Sequence, residues 1–173
     1  MHRQPISSDI EIRRIRSDEW PAFRELRLAA LETDPLAFGS THAGEIAYSD
    51  EKWQSWAQDG AEGEATPTFV GARPGAELVG MVGLFRREAE FVVWGMWVAP
   101  DFRRMKLGSK LMQRTLRWID QYFPGSSVLL SVNPTLRPAV RTYLGQGFVF
   151  TGKEEPLGHD SPAIIREMMR VRT

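Results

Sequence analysis

Arg103, Arg104, Lys106 and Lys110 place four cations within eight positions of the stretch Met96-Trp97-Val98-Ala99-Pro100-Asp101-Phe102-Arg103-Arg104-Met105-Lys106-Leu107-Gly108-Ser109-Lys110-Leu111. Before them an apolar run ends at Val98 and Pro100 marks a turn. After them Leu107, Leu111, Met112, Thr115, Trp118, Ile119 and Tyr122 recur on one broad helical face. A strand that turns straight into a helix collects unpaired backbone N–H groups at the helix start, and such groups hold anions. Gly108 leaves out a side chain where a phosphate would approach the backbone. A diphosphate is a natural guest. The same residues also suit the solvated start of a surface helix with Gly108 as a packing contact, so the turn alone leaves both readings open. A nucleotide P-loop is excluded, because GxxxxGK[ST] does not occur.

The rest of the chain limits what this turn can serve. Its 173 residues, 42% hydrophobic and 25% charged, can build a substantial core without disulfides or metal. One domain is expected over residues 10–173, behind a flexible tail of residues 1–9. Lys plus Arg and Asp plus Glu are equal at 22 each, so no overall field draws in nucleic acid or an anionic membrane, and neither is expected as a partner. There is no cysteine, which removes thiolate metal sites and cysteine nucleophiles. His2, His42 and His159 are far apart and in no ligand spacing, so no metal is expected. The N-terminus lacks the apolar core of a signal peptide and no run approaches a membrane span; a cytoplasmic location is expected.

The elements that must position the turn follow from periodicity. Alternation over Ile10–Ile15 predicts a short edge strand. Asp18 offers an N-cap for a helix carrying Trp20, Phe23, Leu26, Leu28 and Leu31 that ends near Asp34-Pro35. Pro35 to Gly44 is rich in turn residues, Ser49 to Asp59 suggests a second helix, and Ala61 to Pro67 a loop. Thr68–Ala72, Leu78–Phe85 and Glu90–Val98 are spaced as an antiparallel meander. Beyond the long helix, which Pro124-Gly125 ends, come a strand at Val128–Val132, a short helix at Pro138–Leu144, and strands at Phe148–Thr151 and Ala163–Val171. The expected class is α+β, a mixed, mainly antiparallel central sheet flanked by helices.

In this setting the basic turn resembles the signature of the GNAT superfamily of acetyl-CoA-dependent N-acyltransferases, V-x-P-x-x-[RQ]-x-x-G-x-[GA] between a strand and a helix. Val98, Pro100, Arg103 and Gly108 match in register, and Lys106 stands where the first glycine is usual. If that position needs φ > 0, lysine there costs about 1 kcal/mol or more relative to glycine. A second segment, Val132-Asn133-Pro134-Thr135 followed by Ala139-x-x-x-Tyr143-x-x-x-Gly147-Phe148, resembles the downstream strand, Asn and short helix of the same superfamily, with Leu136 and Thr142 departing from its common residues. Leu28 to Thr41 is similar to the acceptor-side loop of some bacterial members, and the resemblance spans Ile10 to Val171.

The resemblance implies an enzyme that passes an acetyl group from acetyl-CoA to a primary amine, small or on a protein. It places CoA against Met96, Trp97, Val98, Arg103, Arg104, Met105, Lys106, Leu107, Gly108, Ser109 and Asn133, with strand-end backbone groups polarising the thioester carbonyl. Tyr143 becomes the general acid for the leaving thiolate; a core tyrosine with a satisfied hydroxyl is the other use of such a residue. A lysine-like amine of pKa about 10.4 is almost wholly protonated at neutral pH, so a base must act, and Glu90, Glu88, His159 or water are the candidates. Phe38, Tyr48, Trp53, Trp56, Trp94 and Trp97 are available to an acceptor pocket or to the core. A non-catalytic acyl-CoA sensor is the alternative function, and a homodimer remains open because the last strand can pair internally or be exchanged between subunits.

Overall fold

The computed structural model describes residues 9–158 and 160–172. His159, one of the candidate bases, therefore falls outside the described residues.

In chain order the elements are β1 (Glu11–Arg14), α1 (Trp20–Thr33), α2 (His42–Ile46), α3 (Asp50–Glu62), β2 (Thr68–Ala72), β3 (Leu78–Arg87), β4 (Glu90–Val98), α4 (Leu107–Tyr122), β5 (Ser127–Val132), α5 (Arg137–Gly145), β6 (Phe148–Gly158) and β7 (Ser161–Arg170). The strands form one seven-stranded sheet in the order β1-β2-β3-β4-β5-β7-β6. Every pairing is antiparallel except β4 with β5. This is the expected mixed, mainly antiparallel α+β architecture. The last strand pairs inside the chain, between β5 and β6.

Alternation along the strands divides the core between the two faces. Phe69, Val82, Leu84, Phe91 and Val93 pack with Leu107, Leu111, Met112, Leu116, Trp118 and Ile119 of α4 and with Tyr143 of α5. Val70, Ala72, Leu78 and Met81 pack on the other face with Phe23, Leu26, Leu31, Trp53 and Ala57 of α1 and α3. Each such side chain contributes about 1.5–3 kcal/mol relative to exposure. Tyr122, expected on the apolar face of α4, is 58% exposed at the last position of the helix.

Three local expectations are corrected. Asp18 caps no helix: Ser17–Glu19 is a 3-10 turn, and it is the Glu19 carboxylate that accepts from the Arg16 N–H at 2.9 Å while also holding Arg13. The turn-rich segment after Pro35 contains a short helix, α2, capped by Thr41 Oγ1 accepting from the Gly44 N–H at 3.1 Å. β6 runs on to Gly158 rather than ending at Thr151, because β7 accompanies it with register shifts. No helix among the described residues is long and apolar enough to cross a membrane.

Candidate active site

The site starts from a mismatch in pairing. β4 has nine residues but pairs with β5 only from Glu90 to Val93; beyond that the two strands part. β4 also bulges there: Trp94 faces Gly83 and Trp97 faces Met81, so two residues of β4 lie opposite one of β3, with Gly95 at φ 65°. The Ala99 N–H donates to Val79 O at 2.9 Å on the β3 side. By alternation the N–H and C=O of Val98 point the other way, into the gap between β4 and β5. A backbone edge left open inside a sheet is a place for an extended ligand to pair.

The basic turn lies at the end of this gap. Arg103 N–H closes the 3-10 turn onto Pro100 O, but the N–H groups of Arg104 to Ser109 make no hydrogen bond to the protein among the described residues. Arg104 has φ 65° and Lys106, the N-cap of α4, has φ 58° and ψ 20°. These left-handed conformations in non-glycine residues turn successive N–H groups toward one side, as in an anion nest. The position where glycine is usual thus does need φ > 0, and Lys106 bears the cost. Close packing does not require glycine at position 108. A Cβ there would stand 3.6 Å from Met96 Cε, 3.9 Å from Val98 Cγ2 and 4.0 Å from Thr142 Cγ2, in ordinary contact at the floor of the groove between β4 and α5. Met105 and Leu107 anchor the turn to the core.

Arg103 departs from the simple picture of a phosphate ligand. Its Nη2 donates to Asp34 Oδ2 at 2.6 Å and its Nε to Val98 O at 2.9 Å. Asp34 Oδ2 also accepts from Trp97 Nε1 at 2.7 Å. Burial pulls the Asp34 carboxyl upward, but the hydrogen bonds from Trp97 and Arg103 outweigh it and hold the group below the usual aspartate range. Asn133 is buried and internally committed: its Oδ1 accepts from the Thr135 N–H and hydroxyl, and its Nδ2 donates to Leu36 O at 3.2 Å. Tyr143 on α5 packs edge-on to Phe148, with centroids 6.2 Å apart, and its hydroxyl has no protein partner among the described residues. Burial pushes its phenol well above the ordinary value, so it stays protonated at any working pH.

On the α1 and α3 side of the same gap lies a cavity of about 590 Å³. Phe38, Tyr48, Trp56 and Trp94 line it, as the sequence suggested. Trp53 and Trp97 do not: the first is wholly buried beneath the wall and the second is turned to Asp34. Trp56 stacks on Trp94 at 5.3 Å and 23°. Trp94 lies flat only because its partner is Gly83, where a Cβ would collide with the indole. Arg27 and Glu45, a buried ion pair, form part of the wall, and Lys52 and Asp59 complete its charges. Sequence reasoning passed over Arg27, Glu45 and Asp34. The available signal was a charge inside an apolar stripe: Arg27 sits among Phe23, Leu26, Ala30 and Leu31.

Neither glutamate proposed as base lies at this site. Glu90 pairs with Ser127 at the closed end of β4, where it meets Arg87 at 3.1 Å, and Glu88 occupies the hairpin turn at φ 55°. Five residues of strand, roughly 16 Å, separate Glu90 from the bulge. No metal-binding cluster of His, Asp or Glu occurs among the described residues.

Comparison with known proteins bears on the same elements. The Acetyltransferase (GNAT) family model matches residues 12–148. No curated protein matches the chain. Among solved structures, a GNAT-family acetyltransferase from Streptococcus pneumoniae superposes with a TM-score of 0.79 at 20% identity, covering 94% of this chain and 98% of that one. A ribosomal-protein-alanine N-acetyltransferase from Brucella melitensis gives 0.77 at 17%, covering 94% and 99%. Spermidine N-acetyltransferase from Vibrio cholerae, in complex with CoA and spermine, gives 0.71 at 16%, covering 93% and 94%. The split between β4 and β5, the donor-rich turn before α4 and a family match over most of the chain agree: the chain belongs to the acetyltransferase (GNAT) family and is an acetyl-CoA-dependent N-acyltransferase.

Proposed function

We propose that the chain transfers an acetyl group from acetyl-CoA to a primary amine whose apolar portion enters the aromatic cavity. The row of unpartnered N–H groups from Arg104 to Ser109, at the end of an open strand edge, carries this reading. The pyrophosphate binds that row with Arg104 and Lys106 beside it, and the pantetheine arm pairs with the β4 edge at Met96 and at the Val98 N–H, Val98 O being held by Arg103. Because Arg103 is held by Asp34, its part is to shape the turn. Asn133, likewise engaged, fixes the far side of the gap.

In the reaction the amine nitrogen attacks the thioester carbonyl carbon, whose oxygen gathers charge against strand-edge N–H groups. The C–S bond breaks, the Tyr143 hydroxyl gives its proton to the departing sulfur, and the proton that the nitrogen sheds as the amide forms passes through water to the Tyr143 phenolate and restores it. The attacking ammonium must first lose a proton. Asp59, a cavity carboxylate without an ion pair, takes it directly or through water.

The cavity wall carries two cations, Arg27 and Lys52, and two carboxylates, Glu45 and Asp59, so nothing there favours a polycation over a small amphipathic amine. The spermidine and ribosomal-protein acetyltransferases among the structural relatives support an amine acceptor without choosing its class. A cytoplasmic location fits a cysteine-free chain that uses acetyl-CoA. The test is release of free CoA thiol across a panel of arylalkylamines, amino acids, polyamines and peptides. Turnover with an amphipathic monoamine supports the reading; tight CoA binding with no release for any amine supports an acyl-CoA sensor instead.

A further inference from the structure

The segment from Asp34 to Phe38 is tied to both sides of the gap. At its start Asp34 Oδ2 holds Trp97 Nε1 and Arg103 Nη2, and Arg103 Nε reaches Val98 O on the β4 side. Two residues on, Leu36 O accepts from Asn133 Nδ2 at the end of β5. Ala37 and Phe38 then form part of the acceptor cavity wall, while Asp34 itself does not line the cavity. A continuous chain of hydrogen bonds therefore runs from the cofactor turn through Arg103 and Asp34 to the acceptor wall.

Resting on the assignment of the turn to CoA, we infer that Asp34 is a positioning residue that couples the two sites: CoA on the turn firms the acceptor wall through Arg103 and Asp34. The turn has the marks of a weakly held element. It carries two non-glycine residues at positive φ and a row of N–H groups without acceptors. A diphosphate supplies those acceptors and restrains the turn. Arg103 belongs to the turn, so its contact with Asp34 is restrained as well, and an acceptor entering afterwards loses less freedom in the wall. The link is an ion pair with one strong shared acceptor, Asp34 Oδ2, so neutralising the carboxylate weakens it without removing bulk.

Hydrogen exchange with and without CoA, in the wild type and Asp34→Asn, tests this. In the wild type CoA is expected to slow exchange at residues 104–109 and also at 37–40, the latter by roughly 5- to 10-fold, the lower part of ordinary coupling ranges. In Asp34→Asn protection persists at 104–109 and is lost at 37–40. With any acceptor that turns over, its KM rises about 10-fold while kcat stays within about 3-fold, as loss of uniform binding requires. Arg103→Gln cuts the link from the turn side and must show the same loss at 37–40 should Asp34→Asn fold poorly. Equal protection of 37–40 in wild type and variants overturns the inference, as does protection confined to the turn in the wild type. Absence of protection at the turn itself would refute the CoA site first, and the coupling with it.

Discussion

Arg27 donates to Glu45 twice, from Nε at 2.9 Å and from Nη2 at 2.8 Å, with both side chains at least 95% buried behind the acceptor cavity. The guanidinium also lies 5.0 Å from the Phe38 ring centroid and 5.8 and 5.6 Å from those of Trp56 and Trp94. The pair joins α1 to α2 and supports the aromatic walls. Removing one partner strands the other charge where it is at least 95% buried. Glu45→Leu is therefore expected to cost about 3–5 kcal/mol, whereas Arg27→Met with Glu45→Leu costs less than the single change. Urea unfolding of both variants checks this, and a double variant weaker than the single one contradicts it.

Gly108 separates affinity from stability. Its missing Cβ would meet only ordinary contacts, and helix propensity favours alanine over glycine. Gly108→Ala should leave stability unchanged or raised by up to about 1 kcal/mol. Gly108→Val should weaken CoA by about 1 to 3 kcal/mol through its bulk at the floor of the groove. Calorimetric titration with CoA beside a thermal melt reads both. Unchanged CoA affinity in a folded Gly108→Val protein removes the groove from the site.

Much of this was legible in the sequence because it is local. The bounds of β2 and β4 match the apolar runs, and the Met96–Leu111 stretch announces its strand, turn and helix. Pairing is not local. Nothing in Glu90–Val98 says that its second half loses β5, or that β7 inserts between β5 and β6, since both depend on residues far along the chain. Side-chain direction is equally hidden: Arg103 and Asn133 match their motifs, yet each is engaged with the Asp34–Phe38 segment, 69 and 97 residues away respectively. Glu88 and Glu90 misled because a carboxylate beside a central strand gives no sign of which end opens.

Lys106 carries a backbone cost that glycine would not. With φ at 58°, Lys106→Gly relieves about 1 kcal/mol, partly offset by the greater freedom of glycine in the unfolded chain. The expected net is a rise in Tm of about 1–3 °C for a chain of this size. CoA affinity should change little, because the N–H remains while one charge leaves. A large loss of CoA binding would make the Lys106 ammonium a principal phosphate ligand.

Asp34 makes stability depend on acidity. Its folded pKa lies below the unfolded value of about 3.9, so the stabilisation is complete above that value and is lost as pH falls through the folded one. The stability gap between wild type and Asp34→Asn should stay constant from pH 7 to about 5 and close below about 4. Thermal melts across that range measure it; a gap unchanged at pH 3 contradicts the assignment.

Tyr143→Phe asks whether acyl transfer occurs in this gap with Tyr143 protonating the sulfur. The substitution keeps the ring against Phe148 and removes only a hydroxyl that has no protein partner among the described residues, so folding should be preserved. Melting temperature, CoA affinity and kcat are measured on one preparation with any acceptor that turns over. The expected result is an unchanged melt, nearly unchanged CoA binding and a fall in kcat of about 10² to 10⁴, toward the low end because a thiolate can also leave unprotonated. A stable Tyr143→Phe protein that binds CoA and turns over at the wild-type rate would contradict the role of Tyr143 and leave water as the proton source.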